Sequence, residues 1–197
     1  MACSFNRLWA ISIYMKNTDE FCAPPIKLNP THVSYIPSVP KDFIISVDTR
    51  EQKPYKFGKI PVIVKTINAG DYSINGMEHL VSIERKSQAD FYGTITGHAR
   101  ARFYRMLDRL DSHLFKGLII ECEEIELLSP ETSFSEIHKN SVYSTIISFE
   151  IKRGLHVYYG NRRSCAIKIA NWLLVFYKNY LENNKNDILS EQQGKKD

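Results

Sequence analysis

The sequence predicts an α/β domain with a central mixed β-sheet flanked by helices. Short apolar, β-branched runs bounded by turn residues recur along the chain. In the second half they alternate with segments whose apolar residues recur at helical spacing. The first half is instead rich in hairpin signals, so antiparallel neighbours join a sheet otherwise built by crossovers.

The first forty residues hold prolines at 24, 25, 30, 37 and 40 and follow neither period, so residues 1–40 read as an irregular lead-in. Phe43 to Val47 is an apolar strand that stops at the charged turn Asp48-Thr49-Arg50-Glu51. A second extended piece covers Pro61 to Ile67. Two short strands, Asp71 to Ile74 and Leu80 to Arg85, flank the turn at Asn75-Gly76. After Asp90 a helix is expected with Phe103, Met106, Leu107, Leu110 and Leu114 on one face and Arg102, Arg105 and Arg109 on the other. Leu118 to Ile120, following Gly117, has the continuous apolar character of a strand covered on both sides, and the acidic stretch Glu121 to Glu126 closes it. A helix from Asn140 or Ser141 should bury Val142, Ile146 and Phe149 and stop at Gly154. Leu155 to Tyr159 is the last strand, and a long helix runs from about Ser164 to Leu181. The domain is thus expected over 41–181, with residues 182–197 a polar, disordered tail.

With 197 residues and 43% apolar content the chain is long enough to bury a core without disulfides. Cys3, Cys22, Cys122 and Cys165 stand far apart, form no C-x-x-C pair and suggest reduced thiols. The histidines show no ligand spacing, which argues against zinc. A net charge of +4 is compatible with a polyanionic partner without demanding one. The sequence has no apolar run of 18 residues and does not start like a secretory signal, so no membrane association is expected and the reading is intracellular, whether cytoplasm, nucleoid or nucleus.

Chemistry concentrates in GDYSINGMEHLVSIERKSQAD, positions 70–90. Side chains alternate along a strand, so Glu84 and Lys86 share one face while Arg85 points to the other. Asp71 lies near the start of the neighbouring strand, and the three groups can meet at one sheet margin. Two carboxylates there repel each other and are costly to bury together unless a divalent cation joins them. Mg²⁺, with Mn²⁺ able to substitute, suits an all-oxygen site. A lysine beside it can orient or deprotonate water and steady charge on a phosphate. Asp48, at the exit of a buried strand, supplies a third acid. A lone D-x12-E-x-K would be too loose to carry this reading; the neighbouring VDTRE cluster strengthens it.

These segments resemble the XPF-type structure-specific nucleases of the restriction-endonuclease-like superfamily, whose core is denoted PD-(D/E)XK. The family's V-D-x-R-E, G-D and E-R-K-x3-D motifs are all filled, as VDTRE, Gly70-Asp71, and Glu84-Arg85-Lys86 followed three residues later by Asp90. The likeness spans roughly Ile44 to Leu181. It implies a metal-dependent endonuclease hydrolysing DNA phosphodiester bonds, on branched or structured DNA of flap or fork type, with roles in repair and recombination. It makes Asp48, Asp71 and Glu84 metal-associated and Lys86 the catalytic lysine, with Glu51, Arg85 and Asp90 supporting them. Arg85, on the opposite strand face, reads physically as a structural ion pair with Glu51 or Asp90. Asp90 reads equally as a helix N-cap, and Glu51 as a solvated turn acid. Arg100, Arg102 and Arg105, with Arg162 as a weaker candidate, are the DNA-binding expectations; the alternative for that helix face is a solvated flank. The family's nuclease domains pair, so a homodimer or a second subunit is expected. The competing class is a catalytically silent DNA-binding or dimerisation partner, and an RNA-cleaving enzyme is a third reading.

Overall fold

The computed structural model describes residues 38–97, 99–128 and 139–193. The expected lead-in lies outside the described residues up to position 37. The elements in chain order are β1 (Ile45–Asp48), β2 (Val62–Lys65), β3 (Tyr72–Ile74), β4 (Val81–Ser87), α1 (Gln88–Thr96), α2 (Ala99–Leu110), β5 (Phe115–Glu121), α3 (Glu124–Leu128), α4 (Lys139–Arg153), β6 (His156–Tyr159) and α5 (Arg162–Gln193). They form a six-stranded sheet in the order β2-β1-β3-β4-β5-β6. β3 is antiparallel to both β1 and β4, whereas β2 with β1, β4 with β5, and β5 with β6 are parallel. The sheet is therefore mixed, as its sequence predicts.

Alternation along the strands sorts side chains onto two cores. Ile45, Val47, Tyr72, Ile74, Val81, Ile83 and Ile119 pack with Ile169, Leu173 and Leu174 of α5. Leu118 and Ile120, on the other face of β5, pack with Phe91, Phe103, Leu107, Ile146 and Phe149 of α1, α2 and α4. Fully burying one such side chain stabilises the fold by roughly 1.5–3 kcal/mol. The residues between them on β1, β3 and β4 are the small polar Ser46, Ser73 and Ser82, all buried and hydrogen-bonded, Ser73 to Val81 O (2.5 Å) and Ser82 to Ala69 O (2.6 Å). On this second face the sequence reaches Asp48, Asp71, Glu84 and Lys86 by the same period of two. Topology brings those positions to one sheet end, because β1 and β4 run toward it and β3 runs away.

Gly70 is required by this packing. Its φ is +80°, and a Cβ there would collide with the Ser82 hydroxyl, so the residue before Asp71 must lack a side chain. Gly154, φ +58°, terminates α4 where the sequence places its end.

Several boundaries differ from expectation. Asn161 is not a breaker but the cap of α5: its Oδ1 accepts from Arg163 N–H and Ser164 N–H at 3.1 and 3.0 Å, so the helix starts at Arg162. It does not stop at Leu181 either. It continues to Gln193, since no Gly or Pro interrupts the chain between Gly160 and Gly194, and the last four residues of the expected tail, 194–197, lie outside the described residues. Leu114 lies beyond the end of α2 and is 65% exposed, so the helical spacing outlasted the helix. The acidic stretch after β5 contains a short helix, α3, which apolar periodicity over so few residues could not announce. No helix among the described residues is long and apolar enough to cross a membrane.

Candidate active site

Three neighbouring strands deliver the acids. Asp48 ends β1, and its N–H donates to Asp71 O at 2.8 Å. Asp71 precedes β3; its own N–H donates to Ile83 O (2.9 Å) and its Oδ2 accepts from Arg85 N–H (2.7 Å), so the residue straddles Glu84 on β4. Lys86, two residues on, donates from Nζ to Glu84 Oε1 at 3.1 Å and lies 4.9 Å above the Phe103 ring. The aromatic face and the carboxylate together hold the ammonium at the site.

Asp71 is the least comfortable charge in this group. Burial pushes its carboxyl up to about 8, the negative charge of Glu84 adds to the shift, and the hydrogen bond from Arg85 N–H only partly offsets it. Glu51 raises it further and Lys86 lowers it.

Asp48 is more fully covered but compensated. Burial opposes its charge, yet the Arg50 side chain, Ile67 N–H and Arg50 N–H hold it below the ordinary carboxylate range. Arg50 donates from Nε to Oδ1 (2.6 Å), from Nη2 to Oδ2 (3.0 Å) and from its backbone N–H to Oδ1 (2.8 Å), while Ile67 N–H donates to Oδ2 (2.7 Å). Among the described residues, no three His, Cys, Asp or Glu side chains form a ready-made metal-holding group. The three acids share a sheet end, but Asp48 is engaged by Arg50 rather than turned into a common cradle with Asp71 and Glu84.

On the opposite face of β4, Arg85 pairs with Glu121 (Nη2–Oε2, 2.7 Å) and with Glu51 (Nη1–Oε1, 3.5 Å). Tyr55 Oη donates to Glu121 Oε2 at 2.7 Å, and Arg162 reaches the same carboxylate at 3.2 Å. The structural ion pair expected of Arg85 forms with Glu51, and Glu121 takes the place considered for Asp90. Asp90 belongs instead to the start of α1. Ser87 is the N-cap, its hydroxyl accepting from Asp90 N–H (3.1 Å) and donating to the Asp90 carboxylate (2.7 Å). Asp90 is thus in the first turn, not the cap itself.

The basic expectations divide. Arg100, Arg102 and Arg105 are exposed on α2, Arg100 with its guanidinium 5.5 Å from the Tyr104 ring. Arg162 is occupied within the fold: besides Glu121 it donates to Lys53 O and Pro54 O, both at 2.9 Å, and covers the Tyr55 ring. It anchors the loop after β1 to the start of α5. Sequence reading missed Glu121 and Tyr55, and missed Arg50 as the partner of Asp48. Glu121 carried a usable signal, an acid at the exit of a buried strand like Asp48; Tyr55, one aromatic among charged and turn residues, carried none.

A mixed sheet with helices on both faces and carboxylates with a lysine at one strand end defines the restriction-endonuclease-like architecture. Within that class the chain belongs to the ERCC4 domain family, whose model matches residues 47–173. It is similar in structure to XPF from Aeropyrum pernix, with a TM-score of 0.55 and 17% identity over 76% of this chain and 73% of that one. A second structure of XPF from Aeropyrum pernix, in complex with DNA, gives a TM-score of 0.53 and 17% identity over 70% of this chain and 66% of that one. At such identity the likeness establishes the fold. Sequence comparison with curated proteins gives no significant match.

Proposed function

We propose that this chain is a divalent-metal-dependent endonuclease that hydrolyses DNA phosphodiester bonds, with branched or otherwise structured DNA, of flap or fork type, as its substrate. The observation that carries the proposal is the buried Asp71 carboxylate crowded by Glu84, with Lys86 fixed beside them, in an ERCC4 domain. Two hard carboxylates that cannot comfortably be ionised side by side without a cation suit Mg²⁺ or Mn²⁺. Asp71 and Glu84 would hold the ion, joined by Asp48 once it is free of Arg50. When bound, the ion supplies Lewis-acid stabilisation of the phosphate and an acidified water.

The protein's own groups do the rest. Lys86, held by Glu84 and Phe103, positions the attacking water and steadies negative charge as water adds to phosphorus and one bridging P–O bond breaks. Arg85 keeps β4 in register from behind. Arg100, Arg102 and Arg105 bind backbone phosphates and set the strand's position without reading bases. A dimer or a second subunit would add grip on a branched substrate.

One observation favours the rival reading, a catalytically silent DNA-binding partner: Arg50 already occupies both oxygens of Asp48. Cleavage assays on fork, flap, duplex and single-stranded DNA, with RNA as a control, in Mg²⁺ and then in EDTA, separate the readings. Cutting of structured DNA in Mg²⁺ alone is expected. Tight DNA binding with no cutting in Mg²⁺ or Mn²⁺ would transfer the chain to the silent class.

A further inference from the structure

We propose that Arg50 is a built-in counter-cation that competes with the divalent metal for Asp48 and must leave that carboxylate before the metal site is complete. The inference rests on the functional reading above and concerns how its site is assembled.

Three observations carry it. Asp48 is only 1% exposed with Arg50 bonded to both of its oxygens, and a carboxylate so covered stays ionised only beside a positive group. Arg50 is that group, with two side-chain hydrogen bonds to the two oxygens, the arrangement in which a guanidinium binds a carboxylate most strongly. Yet the Arg50 side chain is 63% exposed, so one flank is packed on Asp48 and the rest stands in solvent. Among the described residues its side chain also donates a hydrogen bond from Nη2 to Ile67 O at 2.7 Å. A side chain so exposed can swing out without disturbing the core once another cation takes its place on Asp48.

The same guanidinium also feels the negative charges of Asp71 and Glu84. It therefore sits within the field of all three acids, where a dication would be drawn. The two positive groups exclude each other: both need the Asp48 oxygens, and like charges at contact distance repel. Asp48 need not move for the exchange, because Ile67 N–H and Arg50 N–H, the backbone donors to its two oxygens, stay in place. Arg50 is in this sense a positioning residue, keeping Asp48 ionised and aimed while no metal is present.

The test measures binding of Mn²⁺ alone, by calorimetry on the intact chain without DNA, for the wild type, Arg50→Lys and Arg50→Gln. Losing a charge-assisted pair from the metal-free state should tighten Mn²⁺ binding by roughly tenfold in Arg50→Gln, with Arg50→Lys between it and the wild type. If Arg50 merely braced the site, its loss would loosen Asp48 and weaken binding, so equal or weaker affinity in Arg50→Gln overturns the proposal. Thermal melting supplies a second reading. Arg50→Gln should melt lower than the wild type in EDTA and gain more from Mn²⁺; an equal or smaller gain also overturns it. Should neither protein bind Mn²⁺, the competition proposal fails; the functional reading survives only if the wild type still cuts DNA in Mg²⁺ and not in EDTA.

Discussion

Two consecutive residues of β4 face opposite ways and enter contrasting electrostatic surroundings. Arg85 enters a cluster in which each charge has a partner: Glu51 and Glu121 face Arg85, Arg162 adds a second guanidinium, and Tyr55 donates to Glu121. There Glu121 is held below the usual carboxylate range, because the hydrogen bonds from Tyr55 and Arg85 outweigh burial. Glu84, on the other face, shares a sheet end with Asp71, whose carboxyl is pushed up rather than down. The balanced side ties elements together. The unbalanced side is where an added cation would be stabilised most, and this is why chemistry is assigned to it.

Breaking the unbalanced side should have the largest consequence and cost the fold least. Asp71→Asn and Glu84→Gln are expected to reduce cutting on the order of a thousandfold, while DNA affinity stays within about threefold. Gel-shift and cleavage assays on one labelled fork measure both. If binding falls in parallel with cutting, these acids are not the metal site.

The balanced side should respond the other way. Arg85→Ala leaves Glu51 and Glu121 partly buried without their main partner and should cost about 3 kcal/mol in denaturant unfolding. Lys86→Ala should abolish cutting for about 1 kcal/mol or less. Equal destabilisation by the two variants would erase the distinction between the faces.

Why one face was legible in the sequence and the other was not follows from spacing. Asp71, Glu84 and Lys86 lie within a single hairpin, so strand alternation suffices to bring them together. Glu121 and Tyr55 lie 36 and 30 positions from Arg85, and their meeting depends on the order of β4, β5 and the loop after β1. Alternation identified the face Arg85 takes, but only topology supplied its partners. The fold class was readable because buried strands and amphipathic helices each leave a period; α3 and the continuation of α5 past Leu181 leave none. Arg50 was visible within VDTRE, but two positions along a chain do not reveal that it folds back onto Asp48.

Acid–base behaviour offers a subtler probe. Burial and the charge of Glu84 push the folded Asp71 carboxyl up to about 8, from an ordinary value of about 3.9, so the neutral form is the one the fold favours. Its contribution to stability is fully present below about pH 4 and is lost as pH rises through about 8. In EDTA the melting temperature should therefore fall between pH 5 and 9 more in the wild type than in Asp71→Asn. Identical pH profiles would mean that Asp71 is no more strained than an ordinary surface acid.

The smallest expected effect is on α2, outside both clusters, and it sharpens the contrast between chemistry and positioning. Arg102 is exposed, so Arg102→Ala should leave folding and the cation site untouched. If it contacts a backbone phosphate, its removal eliminates one counterion-release event, and the slope of log K against log salt becomes shallower by about one. The loss of affinity should consequently be greatest at low salt and fade as salt rises, uniformly across DNA sequences. Titrating one fork with both proteins at several salt concentrations decides it. Parallel lines would return this helix face to ordinary solvated surface and leave positioning of the DNA to other groups.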